Sequence, residues 1–404
     1  MRILLAPHGT RGDVQPIVAL ALALRARGHI VSLTVPANFV SWVRGYGFDT
    51  ESDGIDVEAR LRSSGAGLQS LIWQMRYLSD TTPALFEAVA RASEGCDLIV
   101  GAGVQFAAAS VAQWRGVPYA HVVFCPCATP SSATPPPNVH TQTLPRWINR
   151  LLWQAGGPMA DLALRGSINR GRATLSLDAL DNPVSQLLTE RVILASDRDL
   201  GPLPDDAPAS ALSTDAWVLE EPGTLDPRVE AFLKIDPKPI YIGFGSMIAP
   251  RAPKLVAQAV AAVRGIRRRA VIAGGWASLD RHISEADDVL TIDQVPHSLI
   301  FPRVAAAVHH GGAGTTTAAA RAGVPQVLLP HILDQYYWAH RVEALGLGPR
   351  ALSVELVSAD VLSDCISRAV NDPKIRERVN RLAPAVAARN GVSKAALHLE
   401  TLRI

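Results

Sequence analysis

The feature that most limits the fold is an alternation that runs along the chain and then restarts. Short apolar runs of strand type alternate with segments whose apolar residues recur at helical spacing. "RILLA" (2–6) is followed by "VQPIVALALALRARG" (14–28), which closes on basic residues and Gly28, a helix stop. "HIVSLTVP" (29–36), "DLIVGAG" (97–103), "YAHVVFCP" (119–126) and "RVILASD" (191–197) continue the strand series, and "QFAAASVAQWRG" (105–116) reads as a helix between two of them. Such apolar runs suit strands buried on both faces. A βαβα series predicts a parallel sheet with helices on each side.

The series restarts beyond a polar, Pro-rich stretch, 198–213. "AWVLEE" (216–221), "PIYIGFGS" (239–246), "AVIAGG" (270–275), "VLTIDQV" (289–295), "AAAVHHGG" (305–312) and "QVLLPH" (326–331) read as strands. "KLVAQAVAAVRG" (254–265) is a helix capped by Gly265, and helical patterns fall near 359–371, 373–388 and 393–403. The 404 residues suit two domains. The expected fold is therefore α/β, two tandem doubly wound Rossmann-like domains facing across a cleft. Their expected limits are 1–197 and 216–385, with a linker at 198–215 and a C-terminal helix (386–404) returning to the first domain. The Pro- and Ser-rich segment 128–143 is expected as a long surface loop, a kind that is often functional.

Composition excludes several classes. With 48% apolar and 19% charged residues, the chain has ample core and is not disordered. A formal charge of +2 gives no concentrated basic stripe, so no nucleic-acid partner is expected. "RGIRRR" (264–269) reads as the solvated end of a helix. "PIVALALAL" (16–24) falls far short of the ~20 residues a membrane span needs. The N-terminal apolar run ends at Pro7 without a small-residue cleavage site, so a cytoplasmic protein is expected, as a monomer or weak dimer. The four cysteines are too few for a disulfide framework. "CPC" (125–127), near His121 and His140, reads as a strand end, and "DRD" (197–199) lies in the linker, so no metal is expected.

Two glycine-rich strand-to-helix turns carry chemistry. "HHGGAGTTTAAARAG" (309–323) places His309 and His310 at a strand end, then Gly312, Gly314 and Thr315 at the start of a helix. Glycines admit backbone amides close to a ligand, and a helix N-terminus carries about half a positive charge, so the turn suits phosphate. A strand-end histidine adds a donor. The segment lacks the GK[ST] of a nucleotide P-loop. Asp334 and Gln335 begin the next helix, on the neighbouring strand-end loop, where an acid and an amide suit sugar hydroxyls. A plain helix cap at Asp334 is the structural alternative. Ser246 in "GFGS" (243–246) reaches a second phosphate or simply closes a tight turn. In the first half, "APHGTRGDVQP" (6–16) puts Asp13 at a helix start, as a helix-stabilising acid or as a general base; His8 competes for the latter role. Thr10 orients Asp13 or an acceptor. Aromatic residues, among them Trp42, Trp73, Tyr77 and Phe124, are core or line an apolar acceptor site.

"GTRGDVQP" (9–16), "YIGFGS" (241–246), "VHHGGAGTT" (308–316), "AGVPQVLLP" (322–330) and "DQYYWAHRV" (334–342) resemble, in matching order, the family-1 glycosyltransferases of GT-B fold. The likeness is to the bacterial branch acting on glycopeptide and macrolide antibiotics and to sterol glucosyltransferases. It implies an acceptor-binding first domain and a nucleotide-sugar donor-binding second domain. His310 takes the place of the family's diphosphate-contacting histidine, with His309, Ser246 and the amides of Gly312, Gly314 and Thr315 around it. Asp334 and Gln335 take the place of the donor-sugar pair, Val295 marks the nucleobase segment, and Asp13 takes the place of the base. Some relatives carry a glutamate for the ribose where this chain has Ala318, which leaves UDP and dTDP both open. The implied reaction is inverting transfer from a UDP- or dTDP-hexose to a hydroxyl of a hydrophobic small-molecule acceptor, without a further cofactor. His8, Thr10, Trp73 and Phe124 are the acceptor-side candidates. An epimerase or hydrolase of the same fold, and a non-catalytic nucleotide-sugar binder, are the alternatives.

Overall fold

The structure, a computed structural model, describes residues 1–64, 71–188, 190–221, 223–247, 252–276, 286–293 and 295–402. The chain divides into two compact units. The first comprises Met1–Pro137, Thr143–Leu219 and Asn390–Ile404; the second comprises Asn138–Gln142 and Glu220–Arg389.

The first unit is built on strands β1 (Arg2–His8), β2 (Ile30–Val35), β3 (Asp49–Ser52), β4 (Leu98–Gly103), β5 (Tyr119–Val123), β6 (Val192–Leu194) and β7 (Leu212–Ser213). Their order is β3-β2-β1-β4-β5-β6-β7, and every pairing is parallel. Leu4, Leu5, Ile99, Val100 and Val122 are inaccessible, as expected for strands covered on both faces. Each such side chain contributes about 1.5–3 kcal/mol by leaving water. β1 has β2 on one side and β4 on the other, so the strand order reverses there. Ligands of open parallel sheets bind at the carboxyl ends of strands flanking that point.

The helix after β1 spans Arg11–Ala26. Its start is a reciprocal capping box. Thr10 Oγ1 accepts from the Gly12 amide, and the Asp13 carboxylate accepts from the Thr10 amide. The segment 216–221, expected as a strand, is irregular. Just before it, β7 pairs with β6 in the first sheet, and Trp217 is buried. Residues 198–215 group with the first unit, and within them Asp215 is nearly inaccessible, held by Arg198 and Lys394. Lys394 belongs to the helix Gly391–Thr401, which lies against the first helix, where Arg27 and His29 bind Glu400. Two long helices with no counterpart in the strand-and-helix reading, Leu71–Ala92 and Arg146–Thr174, pack on one another. A side chain at Gly171 would lie 2.3 Å from the Phe86 ring, so that crossing requires glycine.

The second unit has β8 (Ile240–Gly243), β9 (Ala270–Ala273), β10 (Val289–Ile292), β11 (Ala306–His309) and β12 (Gln326–Leu328), in the order β10-β9-β8-β11-β12, again all parallel. Its reversal lies between β8 and β11. Part of the core is Tyr241, Val271, Leu290, Ile300, Phe301, Ala307 and Ala319, with Val295 and Ala318 packed at its margin. Among the described residues, no helix is long and apolar enough to cross a membrane.

Candidate active site

In the second unit, the ends of β8 and β11 carry the two turns singled out above. The helix Ala313–Arg321 follows β11, with Gly312 as its N-cap and no side-chain cap. Its first amides therefore lack intrahelical partners and sit at the positive end of the helix dipole. Gly312, Gly314 and Thr315 contribute to this end, and Gly314 is exposed. A Cβ at Gly312 would lie 2.5 Å from His310 Nε2, and one at Gly245 would lie 3.0 Å from His310 Cε1. The His310 ring thus stands between the two turns, in space that glycines leave for it. Its Nδ1 is buried without a hydrogen-bond partner. Burial, with smaller contributions from His309, His331 and His297, holds its pKa well below the usual histidine value. The ring is neutral at pH 7, and an unpaired buried nitrogen is an unfavourable state that an anion would relieve. Ser246 is half-buried on the β8 turn.

His309 is placed differently from its neighbour. It is fully buried, accepts the Gly311 amide at Nδ1 (3.1 Å) and bonds Gln326 Oε1 through Nε2 (3.0 Å). Burial lowers its pKa to about 4. Both ring nitrogens hold the turn in shape, so neither is turned to the helix end beside His310. Gln335 is also buried; its Oε1 accepts the His331 amide (2.7 Å) and the Ile332 amide (3.2 Å). The amide expected to give and receive bonds to a sugar therefore shapes the β12 loop with its oxygen. Its Nε2 lies 3.2 Å from Met247 Sδ. Asp334 begins the helix Gln335–Ala344 without capping it through its side chain, which instead accepts Trp338 Nε1–H at 3.1 Å. Asp334 thus stands at the N-cap position, but its carboxylate is turned to Trp338. Val295 is half-buried at the margin of the core.

In the first unit, the site forms where β1 and β4 end. Asp13 Oδ2 accepts the Thr10 amide at 2.8 Å and the Thr10 hydroxyl at 3.3 Å. Thr10 therefore orients Asp13. A Cβ at Gly9 (φ +145°) would lie 2.2 Å from Asp13 Oδ2, and one at Gly103 (φ +66°) would lie 2.8 Å from Oδ1 and 2.5 Å from the His8 carbonyl oxygen. Two glycines in conformations that other residues rarely adopt thus make room for one carboxylate. Burial raises the Asp13 pKa to about 6, against the lowering effect of the Thr10 amide and of His8. A carboxyl tuned so close to neutrality is matched to proton transfer.

His8, the competing base, is inaccessible, with Nδ1 2.7 Å from Asp53 Oδ2 and Nε2 3.0 Å from the Tyr77 hydroxyl. Neither ring nitrogen is open to an acceptor. Trp73 stacks on Tyr77 (centroids 5.4 Å apart, planes at 13°), and Phe124 meets Trp217 edge-on at 6.4 Å. The "DRD" segment is a turn: Asp197 Oδ1 accepts the amides of Asp199 and Leu200, and Arg198 turns to Asp215. Among the described residues, no group of three His, Cys, Asp or Glu is arranged to hold a metal ion. The sequence reading missed Asp53, which lies just past a strand too polar to recognise, and it missed Gly103, whose need appears only when β4 lies beside β1.

Two parallel α/β units, one with a tuned carboxyl and one with an uncapped, glycine-lined helix end of the kind that suits an anion, fit a group-transfer enzyme with a phosphorylated donor. Residues 3–119 match the family described as glycosyltransferase family 28 N-terminal domain, and residues 271–402 match the erythromycin biosynthesis protein CIII-like C-terminal domain. The chain is 36% identical to glycosyltransferase GtfE of Amycolatopsis orientalis over 86% of its own length and 85% of the relative's. It is 33% identical to vancomycin aglycone glucosyltransferase of the same organism over 100% of its length and 98% of the relative's. The solved glycosyltransferase of kitacinnamycin shares the fold, with a TM-score of 0.75 at 19% identity over 100% of this chain and 99% of that one. The chain belongs to the family-1 glycosyltransferases of GT-B fold, in the branch of glycopeptide, macrolide and sterol glycosyltransferases. It is an enzyme of sugar transfer, a hexosyltransferase that uses a nucleotide-sugar donor.

Proposed function

We propose that the protein transfers a hexose, with inversion, from a UDP- or dTDP-sugar to a hydroxyl of a large apolar natural product. The observation that carries this reading is His310, a neutral imidazole with an unpartnered buried Nδ1 at an uncapped, glycine-lined helix N-terminus. The amides of Gly312, Gly314 and Thr315, with His310 and Ser246, bind the donor diphosphate and stabilise the charge that grows on it as the glycosidic bond breaks. Donors aimed in advance at developing charge are the largest usual catalytic contribution, about 3 kcal/mol each. Asp334 and the Gln335 amide nitrogen hold the hexose, and Val295 lies along the base. Asp13 removes the proton of the attacking hydroxyl, and Thr10 keeps its carboxylate in place. Oxygen attacks the anomeric carbon opposite the leaving diphosphate, so the configuration inverts. The reaction needs no further cofactor in this reading, because protein donors meet the leaving charge.

The names of the relatives support the acceptor class. They include a vancomycin aglycone glucosyltransferase and a sterol 3-beta-glucosyltransferase, whose named acceptors are the vancomycin aglycone and a sterol. A panel of UDP- and dTDP-hexoses against polycyclic alcohols and aglycones, read by mass spectrometry, tests the proposal. A glycoside with an inverted anomeric centre is expected. Release of free sugar or a 2-epimer without any glycoside would favour a hydrolase or epimerase instead.

A further inference from the structure

One cluster in the first unit has no part in the reaction above. His8, Asp53 and Tyr77 are joined by two hydrogen bonds, and they come from three separate elements: the end of β1, the turn after β3, and the helix Leu71–Ala92. Asp53 and the His8 side chain are inaccessible, whereas Tyr77 and Trp73 are only half-buried. The site lies beside Asp13, because Gly103 is flanked both by the His8 carbonyl and by Asp13 Oδ1.

The bonding fixes the polarity of the neutral His8 ring. Asp53 Oδ1 accepts the Ile55 amide at 2.9 Å, and its Oδ2 faces His8 Nδ1 at 2.7 Å. A carboxylate only accepts, so Nδ1 carries the proton. Where the ring is neutral, that leaves Nε2 as an acceptor, and the Tyr77 hydroxyl lies 3.0 Å away to donate to it. With its hydrogen engaged, the Tyr77 oxygen can only accept. The Trp73 and His8 rings lie near-parallel to the Tyr77 ring, at 13° and 18°, so the phenol is held at a fixed angle with an apolar flank.

We propose that Tyr77 is an acceptor-selecting residue, which takes a hydrogen bond from a second hydroxyl of a planar, apolar acceptor. His8 and Asp53 are positioning residues that act through it. The proposal deepens the acceptor side of the function above and rests on that reading, but it makes a separate demand: the acceptor must carry a donor group beside the hydroxyl that reacts.

The test uses the full-length protein, saturated with UDP, and two probes. One is a dihydroxynaphthalene with adjacent hydroxyls; the other is its monomethyl ether. Calorimetry should show the diol bound about 3- to 10-fold more tightly by the unaltered protein, the range of one neutral hydrogen bond. Tyr77→Phe should remove that preference. Asp53→Asn should remove it too. Since the Ile55 amide keeps the oxygen, the new amide nitrogen faces Nδ1 and drives the ring proton to Nε2. Tyr77 then receives a bond from His8 and loses its fixed polarity. The double variant should show no additional loss, an outcome that a merely structural role for Asp53 would not give. Thermal melting keeps folding in view. Equal affinity for diol and ether in the unaltered protein, a preference that survives Tyr77→Phe or folded Asp53→Asn, or no binding of either probe would each overturn the proposal. The assignment of Asp13 stands or falls on transfer rate instead, so the two failures are distinguishable.

Discussion

Replacing Asp13 with Asn removes proton acceptance while keeping the shape of the side chain. The Asn oxygen can still accept the Thr10 amide, so the start of the helix survives. General base catalysis is usually worth ~10²–10⁴, and kcat should fall by that factor. Stability should move the other way. Burial raises the Asp13 pKa from 3.8 to about 6 in the folded protein, so folding favours the protonated form. That contribution is complete below pH ~4 and is lost as pH rises through about 6. The gap between the two values corresponds to about 3 kcal/mol against the ionised form at neutral pH, which partial exposure reduces to about 1–2 kcal/mol. Asp13→Asn should therefore melt higher than the unaltered protein at pH 7.5, and the difference should vanish near pH 4. Steady-state transfer in the unaltered protein should instead decline as pH falls, with an inflection near pH 6, because the base works only when ionised. Calorimetric melts and initial rates across that range check both. An Asn variant that retains most of its rate, or one that is less stable at pH 7.5 although folded, would refute the reasoning.

Three other changes have defined outcomes. Gly103→Ala puts a Cβ 2.5 Å from the His8 carbonyl oxygen at φ +66°; it should lower stability by about 1–3 kcal/mol and reduce transfer without weakening UDP binding, as denaturant melts and calorimetry would show. Gly312→Ala displaces His310, whose Nε2 would lie 2.5 Å away, and should weaken UDP and dTDP binding about tenfold in a folded protein. Asp215→Ala removes the partner of Arg198 and Lys394; both cations can return to water, so the loss should be about 1–3 kcal/mol. Those partners hold the Asp215 carboxyl below the usual carboxylate range against the effect of burial, so its contribution is present above pH ~4 and declines as pH falls further, and melts at pH 7 and pH 3 should differ accordingly.

The sheets were legible because their strands are apolar on both faces, a pattern that survives without knowledge of any neighbour. β3 reads "DTES" and was not legible, since its role as an edge strand needs no apolar run. "AWVLEE" had the pattern of a strand but lies irregular, with Trp217 buried, its Nε1–H given to Thr214 and its ring edge-on to Phe124. The strand-to-helix turn after β11 was legible from its glycines. The division of labour between His309 and His310 was not. It depends on Gln326 and Gly311 engaging one ring while glycines leave space for the other. In the same way, the His8 partners come from residues 45 and 69 positions away, which no local spacing could announce.

The most direct measurement of the central claim is titration of UDP and dTDP into the unaltered protein, His310→Ala and Asp13→Asn. If the diphosphate binds the second unit as proposed, His310 gives it a charge-assisted bond worth about 1.5–3 kcal/mol. Affinity should then be lowered about 10- to 100-fold by His310→Ala and left unchanged by Asp13→Asn, both proteins being folded. Unchanged nucleotide affinity in His310→Ala would contradict this placement.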